Sequence, residues 1–336
     1  MDILVTGGAG YIGSHTVLAL LESGHRVRVL DNYSNASPES LRRVQQLTGK
    51  SVDIREGDVR DLQVLRDAMN GVQGIIHFAA LKAVGESVEL PLQYYRNNLD
   101  STLSVLELLD PMGVDRFVFS SSATVYGDPE VVPVTEESPL SATNPYGRTK
   151  LFSEEIIRDV FRNSRAKATI LRYFNPVGAH ESGAIGEDPS GIPNNLMPYV
   201  AQVAIGRRPH LNVFGSDYPT VDGTGVRDYI HVMDLAEAHV AALVAEQDES
   251  CTVYNLGTGS GYSVLQLAEA YAKAADRPIP YEITGRRAGD VAAVWADPTL
   301  AAERLNWRAT RTLEDMCTDS WNWQSKNPNG FKVSDR

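Results

Sequence analysis

Residues 146–150 read Tyr-Gly-Arg-Thr-Lys, placing a phenol and an ammonium four positions apart. On a helix, positions i and i+4 are neighbours on one face. A free tyrosine, with a pKa of about 10, is a poor base at neutral pH, but a nearby cation favours its phenolate. Tyr146 beside Lys150 is therefore a candidate general base tuned towards the working pH. Three consecutive serines, Ser120, Ser121 and Ser122, follow the apolar run Phe117-Val118-Phe119, and one of their hydroxyls can hydrogen-bond a reacting oxygen. Taken alone, the Tyr/Lys pair also fits an ordinary surface aromatic–cation contact. The segments around it decide between the two.

Residues 7–13, Gly-Gly-Ala-Gly-Tyr-Ile-Gly, directly follow the run Ile3-Leu4-Val5. From Gly8 the spacing is Gly-x-Gly-x-x-Gly, and from Gly7, through Gly10 to Gly13, it is Gly-x-x-Gly-x-x-Gly. Such glycines permit a tight turn and let backbone N–H groups approach a pyrophosphate at a helix N-terminus. The next candidate strand, residues 27–30, leads into Asp31, 18 residues beyond Gly13 (31 − 13). A carboxylate there accepts hydrogen bonds from an adenosine ribose and repels a 2′-phosphate, which favours NAD over NADP. After a third run at 52–54, Asp58 and Val59 are placed to face the adenine; for Asp58 a helix cap is the alternative.

These groups need a frame. Short β-branched runs at 3–5, 27–30, 52–54, 74–78, 117–119 and 169–171 alternate with helix-length segments, which predicts right-handed crossovers and a parallel sheet covered on both faces. The expected fold is α/β, a Rossmann-type doubly wound sheet over residues 1–175, with return segments near 232–256 that include a candidate strand at 252–256. Residues 176–336 are expected to form a smaller mixed α/β ligand-binding region, rich in Gly, Pro and Asn connections, with helices at 232–245, 264–275 and 313–323. The net charge of −12 argues against nucleic-acid and acidic-membrane partners, so an anionic ligand must meet locally placed cations. Two distant cysteines, Cys251 and Cys317, outline neither a disulfide framework nor a metal site. With no apolar run of membrane-spanning length, the expectation is a cytoplasmic enzyme.

The glycine turn, the strand-end serine and Tyr-x-x-x-Lys together resemble the extended short-chain dehydrogenase/reductase superfamily. Within it, the segments 77–87, 120–127 (Ser-Ser-Ser-Ala-Thr-Val-Tyr-Gly), 172–179 (Arg-Tyr-Phe-Asn-Pro-Val-Gly-Ala) and 225–232 (Gly-Val-Arg-Asp-Tyr-Ile-His-Val) are similar to the UDP-glucose 4-epimerases, over nearly the whole chain. The resemblance implies that Tyr146 takes the proton of the sugar 4-hydroxyl while NAD accepts the C4 hydride. Lys150 would hold the NAD ribose and, with the positive nicotinamide ring, lower the Tyr146 pKa, and Ser122 would hydrogen-bond the 4-oxygen. It further implies cofactor contacts from Tyr11, Ile12, Asp31, Asn32, Asn35, Asp58, Val59, Phe78, Ala79, Ala80, Lys82, Asn97 and Phe174. The UDP-sugar would meet Lys82, Asn175, Asn195, Leu196, Asn212, Phe214, Arg227, Arg287 and Asp290; each arginine by itself also reads as a solvated surface residue.

Val294 departs from the family pattern. Members restricted to unacetylated sugars resemble one another in carrying a bulky Tyr there, so the isopropyl group either leaves room for an acetamido group or is compensated by repacking. Ala123-Thr124 after Ser122 is a second marker, because the dehydratases of this superfamily would carry an Asp-Glu pair at that place. A homodimer through two helices is also implied. Apolar residues within 99–109 and 152–161 either form that interface or pack on the chain's own sheet.

Overall fold

The computed structural model describes residues 1–189, 191–287 and 289–332; the last residues of the expected second region, 333–336, lie outside that set. Seven strands build one sheet, in the spatial order Asp53–Glu56, Arg26–Asp31, Asp2–Thr6, Gly74–His77, Arg116–Ser120, Lys167–Tyr173, Cys251–Leu256. Every neighbouring pair is parallel. The chain winds outward in one direction from Asp2–Thr6 and in the other from Gly74–His77. The order thus reverses between these two strands, and in such sheets the ligand crevice opens at the carboxyl ends of the strands where the order reverses. This is the doubly wound fold expected from the alternation of strands and helices, and the segment at 252–256 does join the main sheet.

The central strands read as continuous apolar runs because both faces are covered. Ile3, Leu4 and Val5 are all fully buried. On one face pack the helices Tyr11–Glu22 and Val232–Val244, through Val17, Leu18, Leu21, Leu235 and Ala242. On the other lie Pro91–Met112 and Pro145–Phe161, through Val105, Leu109, Ile157 and Phe161. The strand expected at 52–54 begins at Asp53 and runs to Glu56 at the sheet edge, where its side chains are largely exposed and alternation carries little signal. The final helix, Leu313–Lys326, extends past the expected end at Trp323, and starts from a capping box between Thr312 and Asp315.

The second region is assembled from very short strands. Asn175–Val177 pairs with Tyr229–His231, Leu211–Phe214 with Tyr281–Thr284, and Val226–Arg227 lies between Tyr262–Ser263 and Ala293–Val294. Helices Leu196–Ala204, Val264–Ala275 and Leu313–Lys326 close a separate core around Val200, Leu211, Tyr271 and Met316. Among the described residues no helix is long and apolar enough to cross a membrane.

Candidate active site

Helix Pro145–Phe161 starts where Asn144 accepts a hydrogen bond from the Gly147 N–H at 2.8 Å and Pro145 takes the first helical position. Its buried face carries Tyr146, Lys150, Glu154, Ile157 and Phe161. Polar side chains on that face would be costly in a purely structural helix. Lys150 Nζ donates to the Ser120 carbonyl at 2.7 Å and lies 4.9 Å from the Phe119 ring centre and 6.0 Å from that of Tyr146. Burial brings the Lys150 ammonium down to about 8. Burial pushes the Tyr146 phenol well above its ordinary value, the neighbouring Tyr173 adds to this, and the Ser122 hydroxyl beside it works in the opposite direction. The expectation from sequence is a phenol lowered by Lys150 together with the positive nicotinamide ring. The ammonium is turned to the strand-end carbonyl rather than to the phenol.

Ser122 sits at the foot of a 3₁₀ turn, Ala123–Tyr126, where its hydroxyl accepts from the Thr124 N–H at 3.2 Å. The strand end, the turn and the helix thereby bring Ser122, Tyr146 and Lys150 together.

Across the switch point, Gly7 has a φ of +70°, and a Cβ there would lie 2.8 Å from the Ala79 amide nitrogen. A Cβ on Gly13 would lie 2.3 Å from the Gly7 carbonyl. The glycine turn and the strand end at Phe78, Ala79 and Ala80 therefore touch through backbone, leaving the amides at the head of helix Tyr11–Glu22 facing the crevice. Asp31 is buried; its carboxylate accepts from the N–H groups of Ala9 and Tyr33, each at 2.9 Å, and burial raises its pKa. Each oxygen keeps a further lone pair for a ribose hydroxyl. Asp58 accepts from Asn32 at 3.2 Å and is gripped by Arg60, which holds its carboxyl down at about 2. The cap of the following helix is Asp61, which removes the capping alternative for Asp58. Val59 is buried in the adjoining core, Ile12 packs on the other, and Asn35 is exposed in the turn after the second strand. The backbone cradle, the acid at the second strand end and the buried Tyr/Lys pair fit a dinucleotide.

The opposite wall gathers the remaining predicted residues. Arg227 and Arg287 converge on Asp290, at 4.0 and 2.9 Å, and the Arg287 guanidinium lies 5.5 Å from the centre of the Phe214 ring. Asn212 reaches the Tyr199 hydroxyl at 3.5 Å. Val294 pairs in register with Arg227 and packs in a cluster with Phe174, Tyr126 and Val134. The Asn175 N–H donates to the Asp228 carbonyl at 3.0 Å. Lys82 and Asn195 meet on one carboxylate, Glu187, at 3.3 and 3.2 Å, and Leu196 opens a helix whose first amides receive no side-chain cap. Tyr11, from the glycine turn, donates to the Gly178 carbonyl at 2.7 Å and ties the two walls together.

Several contributors were not singled out from sequence. Asn98 is buried and hydrogen-bonds Leu81 on both backbone groups, while its amide also donates to Thr149 on helix Pro145–Phe161 at 3.0 Å. Tyr173 lies partly buried beside Tyr146, and its hydroxyl accepts from Ser120 at 2.8 Å; the burial of that phenol pushes it up to about 12. Glu187 and Glu154 were also missed. The available signal for Glu154 was its place four residues after Lys150.

The GDP-mannose 4,6 dehydratase family model matches residues 4–320. The chain is 56% identical over 339 residues to a UDP-glucose 4-epimerase of Bacillus subtilis, with 100% of both chains covered. The chain belongs to the UDP-glucose 4-epimerase family. The solved structure of a UDP-glucose 4-epimerase from Bifidobacterium longum in complex with NAD+ and UDP matches with a TM-score of 0.95 and 55% identity, over 98% of this chain and 100% of that one. The UDP-Glc/GlcNAc 4-epimerase of Campylobacter jejuni matches with a TM-score of 0.84 and 38% identity, over 97% and 99%. The Ala123–Thr124 pair agrees with an epimerase rather than a dehydratase: neither side chain can move a proton at neutral pH, and the Thr124 hydroxyl is buried without a partner.

Proposed function

We propose that this chain interconverts UDP-glucose and UDP-galactose by inverting C4 through a transient 4-keto sugar, with NAD retained through turnover. The observation that carries the reading is the convergence of buried Tyr146, Lys150 and Ser122 at the strand ends, beside a glycine turn shaped for a dinucleotide. Bound NAD supplies the hydride acceptor and donor. Tyr146 takes the proton from the 4-hydroxyl and later returns one to the same oxygen, and the hydride that bound NAD would accept from C4 returns to C4, so the sugar undergoes no net redox change. Ser122 holds the 4-oxygen through both halves. Lys150 holds a ribose and contributes positive charge near the phenol.

Residues 1–175, with the return at 232–256, carry the NAD side in this reading, and 176–336 the UDP-sugar side. Gly7, Gly10, Tyr11, Ile12 and Gly13 receive the pyrophosphate. Asp31, Asn32, Asn35, Asp58 and Val59 serve the adenosine, and Phe78, Ala79, Ala80, Lys82, Asn97 and Phe174 line the remainder. On the other wall Arg227 and Arg287 meet the diphosphate with the Leu196 helix amides, and Asn175, Asn195, Asn212, Phe214, Asp290 and Val294 frame the nucleotide and the sugar. Val294, partly buried and flanked by Phe174, supports acceptance of the N-acetylated pair as well, the breadth named for the Campylobacter jejuni relative.

A homodimer is supported by apolar side chains left outside the core on two adjacent helices: Leu92, Leu103, Phe152 and Val160 are exposed, and Tyr95 stacks on Phe152. Val105, Leu106, Leu108, Leu109, Ile157 and Phe161 on the same helices are buried in the chain's own core, so only part of each expected segment is free to form an interface. Two unpaired thiols suit a cytoplasmic setting. Purified enzyme given UDP-glucose without added NAD should form UDP-galactose and release no NADH. Steady NADH release would instead indicate a dehydrogenase, and a 4-keto-6-deoxy product a dehydratase.

A further inference from the structure

We propose that Glu154 is a positioning residue for this reaction: it fastens Ser121, the neighbour of Ser122, to helix Pro145–Phe161 and sets a buried carboxylate one turn from Lys150. The proposal rests on the epimerase reading above. Tyr146, Lys150 and Glu154 occupy positions i, i+4 and i+8 of helix Pro145–Phe161, on its buried face. Glu154 is wholly inaccessible to solvent. One of its oxygens accepts from Ser121 Oγ at 2.6 Å and Arg172 Nε at 3.0 Å; the other accepts from Arg172 Nη2 at 2.6 Å and Arg158 Nη2 at 3.1 Å. Arg172, almost as deeply buried, donates on to the Tyr126 hydroxyl at 3.0 Å and the Glu136 carbonyl at 3.2 Å, and Tyr126 donates to Asn255 at 2.6 Å. The segment from Ser121 to Tyr126 is thus pinned at both ends by one ionic network, with Ser122 between the pins. Lys150 grips the preceding residue, Ser120, from the same helix face.

A buried ion pair contributes little net stability compared with apolar packing, so its place here calls for another reason. The groups facing Lys150 supply one. His77, from the fourth strand, is held neutral by burial and by Lys150 itself, with its pKa near 3. The phenols of Tyr146 and Tyr173 are uncharged at neutral pH, and Tyr94 of helix Pro91–Met112 hydrogen-bonds Glu86. Glu154 is the anion that offsets the burial of the ammonium. Facing Glu154 in turn are Arg158 on its own helix, Arg172 on the sixth strand, Ser121, and the Cys251 thiol of the seventh strand, which burial holds neutral at about 11.

The test uses full-length holoenzyme carrying Glu154→Gln, which keeps an acceptor for Ser121 and loses the charge. The alkaline limb of the kcat/KM profile for UDP-glucose should move acidwards by about 1 pH unit. NAD retained per chain after gel filtration at pH 9 should fall, with the far-ultraviolet circular dichroism unchanged. Glu154→Asp should restore most of the wild-type limb. The double variant Glu154→Gln/Arg172→Met removes the stranded guanidinium and takes the same measurements if the single variant does not fold. A folded neutral variant with the wild-type limb and wild-type NAD retention overturns the proposal. So does failure of both neutral variants to fold, which makes Glu154 a stability residue only. If wild-type enzyme does not epimerise UDP-glucose, the epimerase reading fails instead, and NAD retention at pH 9 still judges Glu154.

Discussion

The two walls of the cleft are held in place by different means. On the wall proposed for NAD, long regular elements do the positioning: parallel strand ends, a glycine turn and helix Pro145–Phe161, with buried charge matched by buried charge in the Glu154–Arg172 pair. On the wall proposed for the UDP-sugar the strands are as short as two residues, and buried Asp228 gathers the loops by accepting backbone N–H bonds. Asp228 takes those of Thr258, Gly259 and Ala296 at 2.8, 3.1 and 3.1 Å. A rigid wall suits chemistry that fails when atoms move by an ångström. A wall of tethered loops suits a ligand whose sugar must turn over inside the pocket. The difference implies that damage to the first wall appears in kcat and damage to the second in KM.

The largest effect should come from the rigid wall. Tyr146→Phe removes the proton acceptor and should lower kcat by about 10²- to 10⁴-fold while bound NAD per chain stays at the wild-type level. Unchanged turnover would remove Tyr146 from the chemistry and the contrast with it. On the loop wall, Arg227→Met should raise KM for UDP-glucose by about 10- to 100-fold with kcat within a few-fold, as expected for a lost charge-assisted contact to a diphosphate. A fall in kcat alone would mean that the walls do not divide the work in this way.

Asp228→Asn tests the tether rather than the contact. Replacing one acceptor oxygen by a donor among converging N–H groups should cost about 1–3 kcal/mol in chemical denaturation and raise KM more than it changes kcat. The smallest effect on the main reaction belongs to Val294→Tyr. Turnover of UDP-glucose should stay within about threefold, whereas that of UDP-N-acetylglucosamine should drop by at least about tenfold, since a ring would fill the space beside Phe174. Equal losses on both sugars would move the selectivity to another part of the loop wall.

The contrast also explains what the sequence made legible. Strand–turn–helix alternation is a local pattern, and so the doubly wound sheet, the glycine turn and the Tyr146/Lys150 pair could be read from spacing. Arg287 and Asp290 are three residues apart and were legible as one block, but their convergence with Arg227 and Phe214 depends on loops that carry no period. Asn98 and Asp228 were illegible for a different reason. A buried polar residue whose partners are backbone groups far along the chain looks, in sequence, like any surface polar residue. Tyr146 shows the remaining limit: its spacing from Lys150 is plain, but the side-chain turn that sends the ammonium to Ser120 rather than to the phenol is set by tertiary packing.

The most direct test of a redox-neutral inversion at C4 is to run UDP-glucose through the purified enzyme in D2O without added NAD and examine the UDP-galactose by NMR. The account predicts product that keeps hydrogen at C4, with no NADH in solution, because the C4 hydrogen leaves and returns as a hydride that never exchanges with solvent. Deuterium at C4 would mean that the carbon is inverted by proton abstraction, and would contradict it.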